Sequence, residues 1–259
     1  MLGSLPIAQR ARARLEGLGH YALLVRETWR SLTRHPWERG AFSQQLHRIG
    51  VQSQPVVLVT GAFTGMVLCA QTLYQFHKVK MDTATLAVVS VSMASELGPV
   101  LTGLMVAGRV GAAMAAELGT MKVTEQIDAL RALATHPVDY LVAPRLLAAL
   151  VAMPVLTSES IAIGILAGYA TGVGLLGMDP AYSWHNMVRY THPADVLNGL
   201  IKSVFFGGLV ATIGCHKGLQ CLQGAEGVGK ATTEAVVAAS IAILISNFFL
   251  TLTLNRILG

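Results

Sequence analysis

The chain has 259 residues, of which 53% are hydrophobic and only 13% are charged, and its formal net charge is +5. Soluble domains carry about 25% charged residues, so this composition excludes an ordinary soluble protein and indicates that much of the chain lies in lipid. Arginines that face anionic lipid explain the positive charge, so it does not require a nucleic-acid partner.

Residues 15–32 predict an amphipathic helix, because apolar side chains recur every three or four positions: Leu15, Leu18, Ala22, Val25, Trp29 and Leu32. The segment is charged and too short to span a bilayer, so we expect it to lie on the inner membrane surface until His35-Pro36 ends it. A soluble helix packed on a partner is the alternative. We assign residues 1–48 to this cytoplasmic and interfacial segment and residues 49–259 to a membrane domain.

Five apolar stretches are long enough to cross a bilayer, which predicts an all-α, polytopic membrane protein. They are residues 55–76, 84–108, 146–175, 197–216 and 235–255. Eight arginines lie in residues 1–48, four basic residues lie in 109–145 and two precede the fifth span, whereas the opposite side holds four. The positive-inside rule therefore predicts a cytoplasmic N-terminus and, after five crossings, a C-terminus on the outer side.

Glycines recur at intervals of four residues in the first and third spans, at Gly61 and Gly65 and at Gly164, Gly168 and Gly172. Such spacing lets helix backbones approach closely in lipid, so it predicts a tightly packed bundle and is compatible with a homodimer. It does not by itself indicate a function, because glycine ladders are common in membrane proteins.

The second span contains a carboxylate, Glu96, which Gly98-Pro99 follows. An ionisable group at membrane depth is unfavourable unless it faces a partner or water. Glu96 therefore marks a candidate functional site, and an acid tied to another helix for structure is the alternative. Pro99 has no N–H to bond the Ser95 carbonyl, which predicts a loosened helix beside the acid and makes Gly98 and Pro99 a candidate hinge.

Two more ionisable residues lie inside predicted spans. Lys202 in the fourth span either extends to the membrane interface or lines the same cavity as Glu96. Glu159 in the third span lies among hydroxyl residues that would close a local hydrogen-bond network: Thr157, Ser158 and Ser160. A secondary transporter that uses Glu96, Glu159 and Lys202 for proton coupling is the alternative function, although the odd span count and the lack of a visible inverted repeat weigh against it.

Residues 117–145 form a polar segment between the second and third spans. Thr124 is predicted to cap a helix whose first turn carries Glu125 and Asp128. An apolar stripe follows and His136-Pro137 ends the helix; the stripe is Val123, Ile127, Leu130 and Leu133 or Ala134. This pattern is typical of a short helix that docks in the groove of an ATPase, and a helix lying on the membrane surface is the alternative.

Motifs that would carry chemistry in this chain are weak. Residues 224–230 fit the GxxxxGK pattern of a P-loop, but Ala231 replaces the Ser or Thr and no buried strand precedes it. We interpret this segment as a glycine-rich turn. Cys215, His216 and Cys221 match no standard zinc spacing, which predicts free thiols and no metal site. Without a catalytic motif, the chain is predicted not to be an enzyme.

Ordered landmarks over residues 45–255 resemble the MlaE/YrbE family of ABC-transporter permeases. The most specific is Glu-Leu-Gly-Pro-Val at residues 96–100, and the others lie at 48–51, 65–68, 107–111, 116–121, 124–126, 137, 144–145, 201–203 and 227–233. The resemblance implies an inner-membrane homodimer of Gram-negative bacteria that moves phospholipid between that membrane and periplasmic carriers and so maintains outer-membrane lipid asymmetry. It implies a permease domain over residues 49–259.

The resemblance also implies partners and site residues. The expected partners are ABC ATPase subunits, which bind the ATP and Mg²⁺, a periplasmic ring of MCE-domain proteins and often a STAS-domain subunit; this chain itself holds no cofactor. By position, the lipid cavity at the dimer interface would be lined by Leu68, Gln71, Gln75, Phe76, Val79, Ser95, Glu96 and Lys202. The coupling helix that docks on the ATPase would use Glu117, Gly119, Met121, Glu125, Ile127 and Leu130.

This sequence departs from the family pattern beside the acid. Many relatives carry Arg immediately before the Glu-Leu-Gly-Pro motif, whereas this chain has Ser95. The change removes a candidate partner for a lipid phosphate and leaves Glu96 without its adjacent counter-charge. We therefore expect Lys202 or a partner chain to supply the positive charge.

Overall fold

The computed structural model describes residues 7–34, 39–222 and 224–258, and within these ranges the regular structure is entirely helical, which confirms the all-α prediction. The helices are α1 Ile7–Arg34, α2 Arg39–Ile49, α3 Gln54–Lys78, α4 Thr85–Ser92, α5 Gly98–Val106, α6 Ala112–Val123, α7 Gln126–Ala132, α8 Ala143–Gly174, α9 Pro180–Tyr190, α10 Pro193–Leu219 and α11 Ala225–Leu258. Some are joined by 3-10 turns at Val51–Ser53 and Asp82–Ala84, or by π-helical turns at Met93–Leu97, Ala107–Gly111 and Val138–Val142.

Five helical segments are long and apolar enough to cross a membrane, in agreement with the five predicted spans. They run over Gly40–Lys78, Asp82–Val123, Val138–Gly174, Pro193–Leu219 and Ala225–Ile257. Each is longer than its predicted apolar stretch, because the helix continues past the hydrophobic residues into polar flanks. The second segment alone has 42 residues, which is about twice the number needed to cross the hydrocarbon core.

The interior of the bundle is built around α8 and α10. Helix α8 packs against α3 and α10, and α10 packs along α6 and α11. Met153, Leu156, Phe206 and Ile243 fill the space between these helices and are fully buried. Each span contains an apolar stretch of 18 residues. Only 22% of that stretch is buried in the first span and 17% in the fifth, against 50% in each of the other three. The outer faces of α3 and α11 are therefore left for lipid or for another chain.

The glycine ladders of the first and third spans meet each other within one protomer. A methyl group on Gly164 would lie 3.0 Å from the Gly61 carbonyl oxygen, and one on Gly168 would lie 3.1 Å from that of Gly65. A methyl group on Gly65 would collide with the Gly164 backbone. The tight bundle predicted from this spacing is confirmed, and these glycines are used inside the chain instead of between two copies.

Helix α1 confirms the predicted N-terminal helix, although it begins earlier, at Ile7. It rests on α8, α10 and the π-helical turn before α8 through a buried face of Leu24, Thr28 and Ser31. The hydroxyl groups of Tyr21 and Thr212 form a hydrogen bond of 2.8 Å. Most of the predicted apolar stripe faces away from the protein, with Leu15, Leu18 and Trp29 exposed, whereas Leu32 at its end packs against the core. The helix ends at Arg34, and His35-Pro36 lies outside the described residues.

Helix α9 is short, was not predicted and joins α8 to α10 at one end of the bundle. It begins where the Asp179 side chain accepts a hydrogen bond from the Tyr182 amide. Its buried residues are Ser183, Asn186 and Met187, and Asn186 donates to the Thr83 carbonyl oxygen over 2.8 Å. Trp184 and Tyr190 are exposed on the other side. We call this end of the bundle the α9 end, and the opposite end, which carries the short helix α7, the α7 end.

Candidate functional site

Glu96 lies in the π-helical turn Met93–Leu97, between α4 and α5. A π turn holds an extra residue and is frequent at functional sites. Pro99 follows and supplies no N–H, and Gly98 packs so closely on Ile161 of α8 that a methyl group there would collide with it. The predicted loosening of the helix beside the acid is confirmed, whereas a hinge motion at Gly98 and Pro99 stays a prediction.

Lys202 of α10 directs its ammonium group at this turn. Its Nζ atom lies 2.6 Å from Glu96 Oε1, 2.9 Å from the Ser95 carbonyl oxygen and 2.9 Å from Thr251 Oγ1. An ammonium group has three hydrogens, and here each has an acceptor. The Ser95 carbonyl is one that Pro99 cannot bond. Because Lys202 is fully buried, the alternative of a lysine that extends to the membrane interface is wrong.

Helix α11 completes the site with two residues that the sequence reasoning missed. Asn247 Nδ2 donates to Glu96 Oε2 over 3.1 Å, and Thr251 Oγ1 lies 3.0 Å from Glu96 Oε1. Thr251 accepts from the lysine, and its single hydroxyl hydrogen can bond either the carboxylate or the Asn247 carbonyl oxygen, which lies 2.9 Å away. Asn247, Thr251 and Asn255 recur every four residues in an otherwise apolar helix. That polar stripe is the signal that would have identified this face of α11.

The ion pair is neutral overall but unevenly exposed. The side chain of Lys202 is 0% exposed and that of Glu96 is 35% exposed. A molecule that enters between the helices therefore meets the carboxylate and not the ammonium group.

The polar cluster continues from Glu96 towards the α9 end. Asn198 Nδ2 donates to Asn255 Oδ1 over 3.0 Å. The Oδ1 atoms of Asn198 and Asn247 are buried and have no hydrogen-bond partner. Buried acceptors of this kind are usually satisfied by water or a ligand. The site is thus the deep end of a polar strip between α10 and α11.

The other predicted cavity residues lie around this site in different ways. Leu68 packs with Met93 and Leu97, which places it beside the π-helical turn. Gln71, Gln75 and Val79 are exposed on α3, and Phe76 is half-buried. The Ser95 hydroxyl donates to the Val91 carbonyl oxygen over 2.8 Å, so Ser95 takes part through its own carbonyl and not through its side chain.

A groove of about 610 Å³ lies on the other side of α3, at the α9 end. Leu73, Tyr74 and His77 of α3 and Tyr182 and Ser183 of α9 contribute to its wall. It contains none of the predicted cavity residues. Of the predicted cavity residues, Gln71, Gln75 and Val79 are exposed in this single chain, so a cavity there would need a second molecule to close it.

Glu159 does not belong to the ion-pair site. Its Oε1 atom accepts a hydrogen bond of 3.0 Å from Gln54 Nε2 at the start of α3. The predicted local network is wrong, because the Ser158 hydroxyl donates to the Pro154 carbonyl oxygen and Thr157 Oγ1 is buried without a partner. The structure therefore brings together Glu96 and Lys202 but not the three residues that the proton-coupled alternative requires.

The predicted coupling helix is present as α7, but its start differs from the prediction. Glu125, and not Thr124, is the N-cap, and it has a left-handed backbone with φ of 59°. The Thr124 hydroxyl instead donates to the Thr120 carbonyl oxygen over 2.9 Å. The helix ends at Ala132, before His136-Pro137, where Ala134 has a positive φ of 55°.

The apolar stripe of α7 faces the protein more than the predicted partner. Ile127 is fully buried in the core, and Leu130 packs against the same core. Ile127 therefore anchors the helix and has no surface to offer an ATPase, which corrects its assignment as a contact residue. Leu133, in contrast, is 76% exposed, and Glu125 is exposed as well.

Glu117 and Gly119 also act within the chain. Glu117 Oε1 lies 3.2 Å from Arg48 Nη1 and its Oε2 lies 3.0 Å from Arg145 Nη2, so the carboxylate connects α2, α6 and α8. A methyl group on Gly119 would lie 3.3 Å from Cys221 Sγ. Met121 packs against the core. These residues therefore hold α6 in place within the chain, although the Glu117 side chain is also partly exposed.

Arg109 has a similar role about two turns earlier. It lies in the π-helical turn Ala107–Gly111 and donates to the Arg48 carbonyl oxygen, to Ser53 Oγ and to Gln52 Oε1 over 3.1, 2.7 and 3.0 Å. The inner part of the second span is therefore fixed to the junction of α2 and α3.

The remaining chemical motifs have structural roles. Cys69, Cys215 and Cys221 are free thiols, and burial raises the pKa of the Cys221 thiol. Among the described residues, no group of His, Cys, Asp or Glu is placed to hold a metal ion. The P-loop-like segment was predicted as a turn, but from Ala225 onwards it forms the first turns of α11.

Fold and site together define a class. The chain is a polytopic helical membrane protein in which an ion pair between a buried lysine and a partly exposed carboxylate lies where three spans meet.

Comparison with known proteins identifies the family. The model of the MlaE permease family matches residues 42–253, so the chain belongs to that family, as its resemblance predicted. A probable ABC transporter permease protein of Rickettsia conorii is 44% identical over 236 residues, which cover 91% of each chain. The intermembrane phospholipid transport system permease protein MlaE of Haemophilus influenzae is 41% identical over 211 residues, 80% of each chain. The chloroplastic protein TRIGALACTOSYLDIACYLGLYCEROL 1 of Arabidopsis thaliana is 38% identical over 207 residues, 80% of this chain and 59% of that protein.

Proposed function

We propose that this chain is the permease subunit of an ATP-driven transporter that moves phospholipid between the bacterial inner membrane and MCE-type periplasmic carriers. The observation that carries the proposal is the partly exposed Glu96, held by Lys202, Asn247 and Thr251 from two other spans. A buried ion pair contributes little to stability compared with apolar packing, so its presence in a lipid-embedded bundle favours a functional role. The name of the Haemophilus relative supports phospholipid as the transported molecule.

Two copies of the chain are proposed to enclose the lipid. Gln71 and Gln75 are exposed on α3, and amide groups that face lipid tails are unfavourable. A second copy across this face would bury them in a polar cavity shared with Glu96. The low burial of α3 and α11 in the single chain leaves the surface that such a homodimer needs.

Separate ATPase subunits are proposed to bind ATP and Mg²⁺ and to act on the α7 end. The exposed part of α7 and its flanks includes Glu125, Asp128 and Leu133. Arg131 and Asp128 pair over 2.8 Å on this exposed surface. Arg109 and Glu117 connect α6, which precedes α7, to neighbouring helices, so a push on α7 would move the bundle.

The proposed orientation follows from charge. The N-terminus and the α7 end lie in the cytoplasm, and the α9 end and the C-terminus face the periplasm, because the basic residues concentrate at the α7 end. Helix α1 would lie on the inner surface, since its exposed Leu15, Leu18 and Trp29 face away from the protein. An MCE ring would meet the α9 end, and a STAS-domain subunit would bind on the cytoplasmic side.

Lipid transfer by the complex that copurifies with this chain tests the proposal. The complex is reconstituted in liposomes with labelled phospholipid, and ATP-dependent transfer to a soluble acceptor is measured. Gln75→Trp should reduce transfer at least about tenfold, because the indole fills the proposed cavity. Ala70→Trp is the matched control, since Ala70 is exposed on the opposite side of α3 and should keep transfer within about twofold. Equal effects of the two variants would reject the cavity, and no ATP-dependent transfer by the unmodified complex would reject the function.

A further inference from the structure

The lysine of the ion pair is fully engaged by the protein. Its three hydrogens meet the Ser95 carbonyl oxygen, Glu96 Oε1 and Thr251 Oγ1, and its side chain has no exposed surface. An incoming phosphate would have to break one of these bonds and reach a group that other side chains cover. The expectation that Lys202 supplies the positive charge for a lipid phosphate is therefore not supported by this geometry.

The sequence provides no substitute cation near the site. Residues 85–106, 193–216 and 231–255, which cover the membrane portions of the helices around the ion pair, contain no lysine or arginine other than Lys202. Residue 95, directly before the acid, is an uncharged serine. An anionic headgroup would thus bring an uncompensated charge into a site whose own charges cancel, which is unfavourable at low dielectric.

The carboxylate, in contrast, retains capacity to accept. A carboxylate offers about four acceptor positions. Glu96 Oε1 accepts from Lys202, Glu96 Oε2 accepts from Asn247, and the single hydroxyl hydrogen of Thr251 fills at most one more position. At least one position therefore remains on a side chain that is 35% exposed. Asn247 Oδ1, which also has no partner, lies on the amide that bonds Glu96 and adds a second acceptor beside it.

We infer that this site selects lipids whose headgroup carries a primary ammonium group, as in phosphatidylethanolamine, over anionic lipids such as phosphatidylglycerol. The ammonium would donate to Glu96, and to Asn247 Oδ1 once the amide turns to it, and the neutral zwitterion would match the neutral ion pair. A choline headgroup has the charge but no N–H, so it should rank between the two. Lys202 then acts as a positioning residue that holds the Glu96 carboxylate in place through their 2.6 Å contact. This inference rests on the proposed lipid-transport function.

A headgroup series on the unmodified complex is the primary test, because it needs no variant. Phosphatidylethanolamine, phosphatidylcholine and phosphatidylglycerol with the same labelled acyl chain are compared in the ATP-dependent transfer assay. We expect the ethanolamine lipid to move about tenfold faster than the glycerol lipid, as one additional charge-assisted hydrogen bond would give. Equal or faster transfer of phosphatidylglycerol would overturn the headgroup preference but would leave the proposed transport function standing. If no headgroup were transferred, the transport function would fall and the preference with it.

A paired variant then assigns the preference to this site. Glu96→Gln combined with Lys202→Met removes both charges while leaving no unpaired charge in the bundle, and it should bring the transfer rates of the ethanolamine and glycerol lipids within about twofold of each other. Glu159→Gln is the matched control, because Glu159 is another carboxylate inside a span but bonds Gln54 and lies outside the site. The control should keep the tenfold preference. A preference that survives in the paired variant would show that the selection occurs elsewhere and would refute the assignment.

Discussion

The Glu96–Lys202 pair makes an asymmetric stability prediction that a double-mutant cycle tests. Glu96→Gln leaves an ammonium group that is 0% exposed without its counter-charge, so water cannot replace the carboxylate. Losing one member of a buried ion pair costs about 3–5 kcal/mol. Lys202→Met leaves the carboxylate, which is 35% exposed and keeps the donors Asn247 and Thr251, so its cost should be smaller, about 1–3 kcal/mol.

The double variant should be more stable than Glu96→Gln alone. Replacing a buried ion pair with neutral groups of similar volume is often close to neutral, so Glu96→Gln with Lys202→Met should lie within about 2 kcal/mol of the unmodified protein. The rescue arises because neither charge is then left unpaired.

Thermal unfolding of the purified complex measures this cycle. For a chain of this size about 1 kcal/mol corresponds to about 2–4 °C, so Glu96→Gln should lower the melting temperature by about 6–20 °C and the second substitution should restore most of it. Glu159→Gln is the control for this measurement, because it removes a carboxylate that bonds Gln54 and has no lysine partner. Purely additive losses in the double variant would refute the reasoning, because they would mean that the two charges do not depend on each other.

Three further predictions concern the α7 end and the helix contacts. Leu133→Glu should abolish copurification of the ATPase, while Leu175→Glu, equally exposed at the α9 end, should not; loss in both or neither would reject the docking surface. Ile127→Glu should instead lower the yield of folded protein, because it buries a charge without a partner at a cost of several kcal/mol. Gly65→Ala should destabilise by about 1–3 kcal/mol in thermal unfolding, whereas Gly108→Ala, whose added methyl group meets no atom within 4 Å, should be tolerated.

The class of fold could be predicted from the sequence because lipid imposes a simple rule on every residue of a span. Backbone groups in hydrocarbon must bond within their own helix, so length and hydropathy are enough to identify five helices. The rule that polar groups in hydrocarbon need partners also identified Glu96, because a carboxylate is unfavourable in such a stretch. It identified Pro99 too, because proline has no N–H to bond the Ser95 carbonyl.

Partners across helices could not be predicted in the same way. Lys202 lies more than one hundred positions from Glu96 in sequence. The sequence alone did not decide whether its side chain extends to the membrane interface or turns towards Glu96, because that depends on the rotation of α10 about its axis. Asn247 and Thr251 are ordinary polar residues in sequence, and only packing turns them towards the acid. Ile127 was expected to contact an ATPase but lies in the core. An apolar stripe in the sequence is the same whether it packs on the protein's own core or on a partner.

The sequence by itself therefore determined the five membrane-spanning segments, the family and the presence of a charged site in the second span. Each of these depends on local composition or on an ordered motif. The tertiary structure decided that the lysine is saturated and hidden while the carboxylate stays reachable. That distinction depends on distances between side chains from three separate spans, which periodicity along the chain does not record.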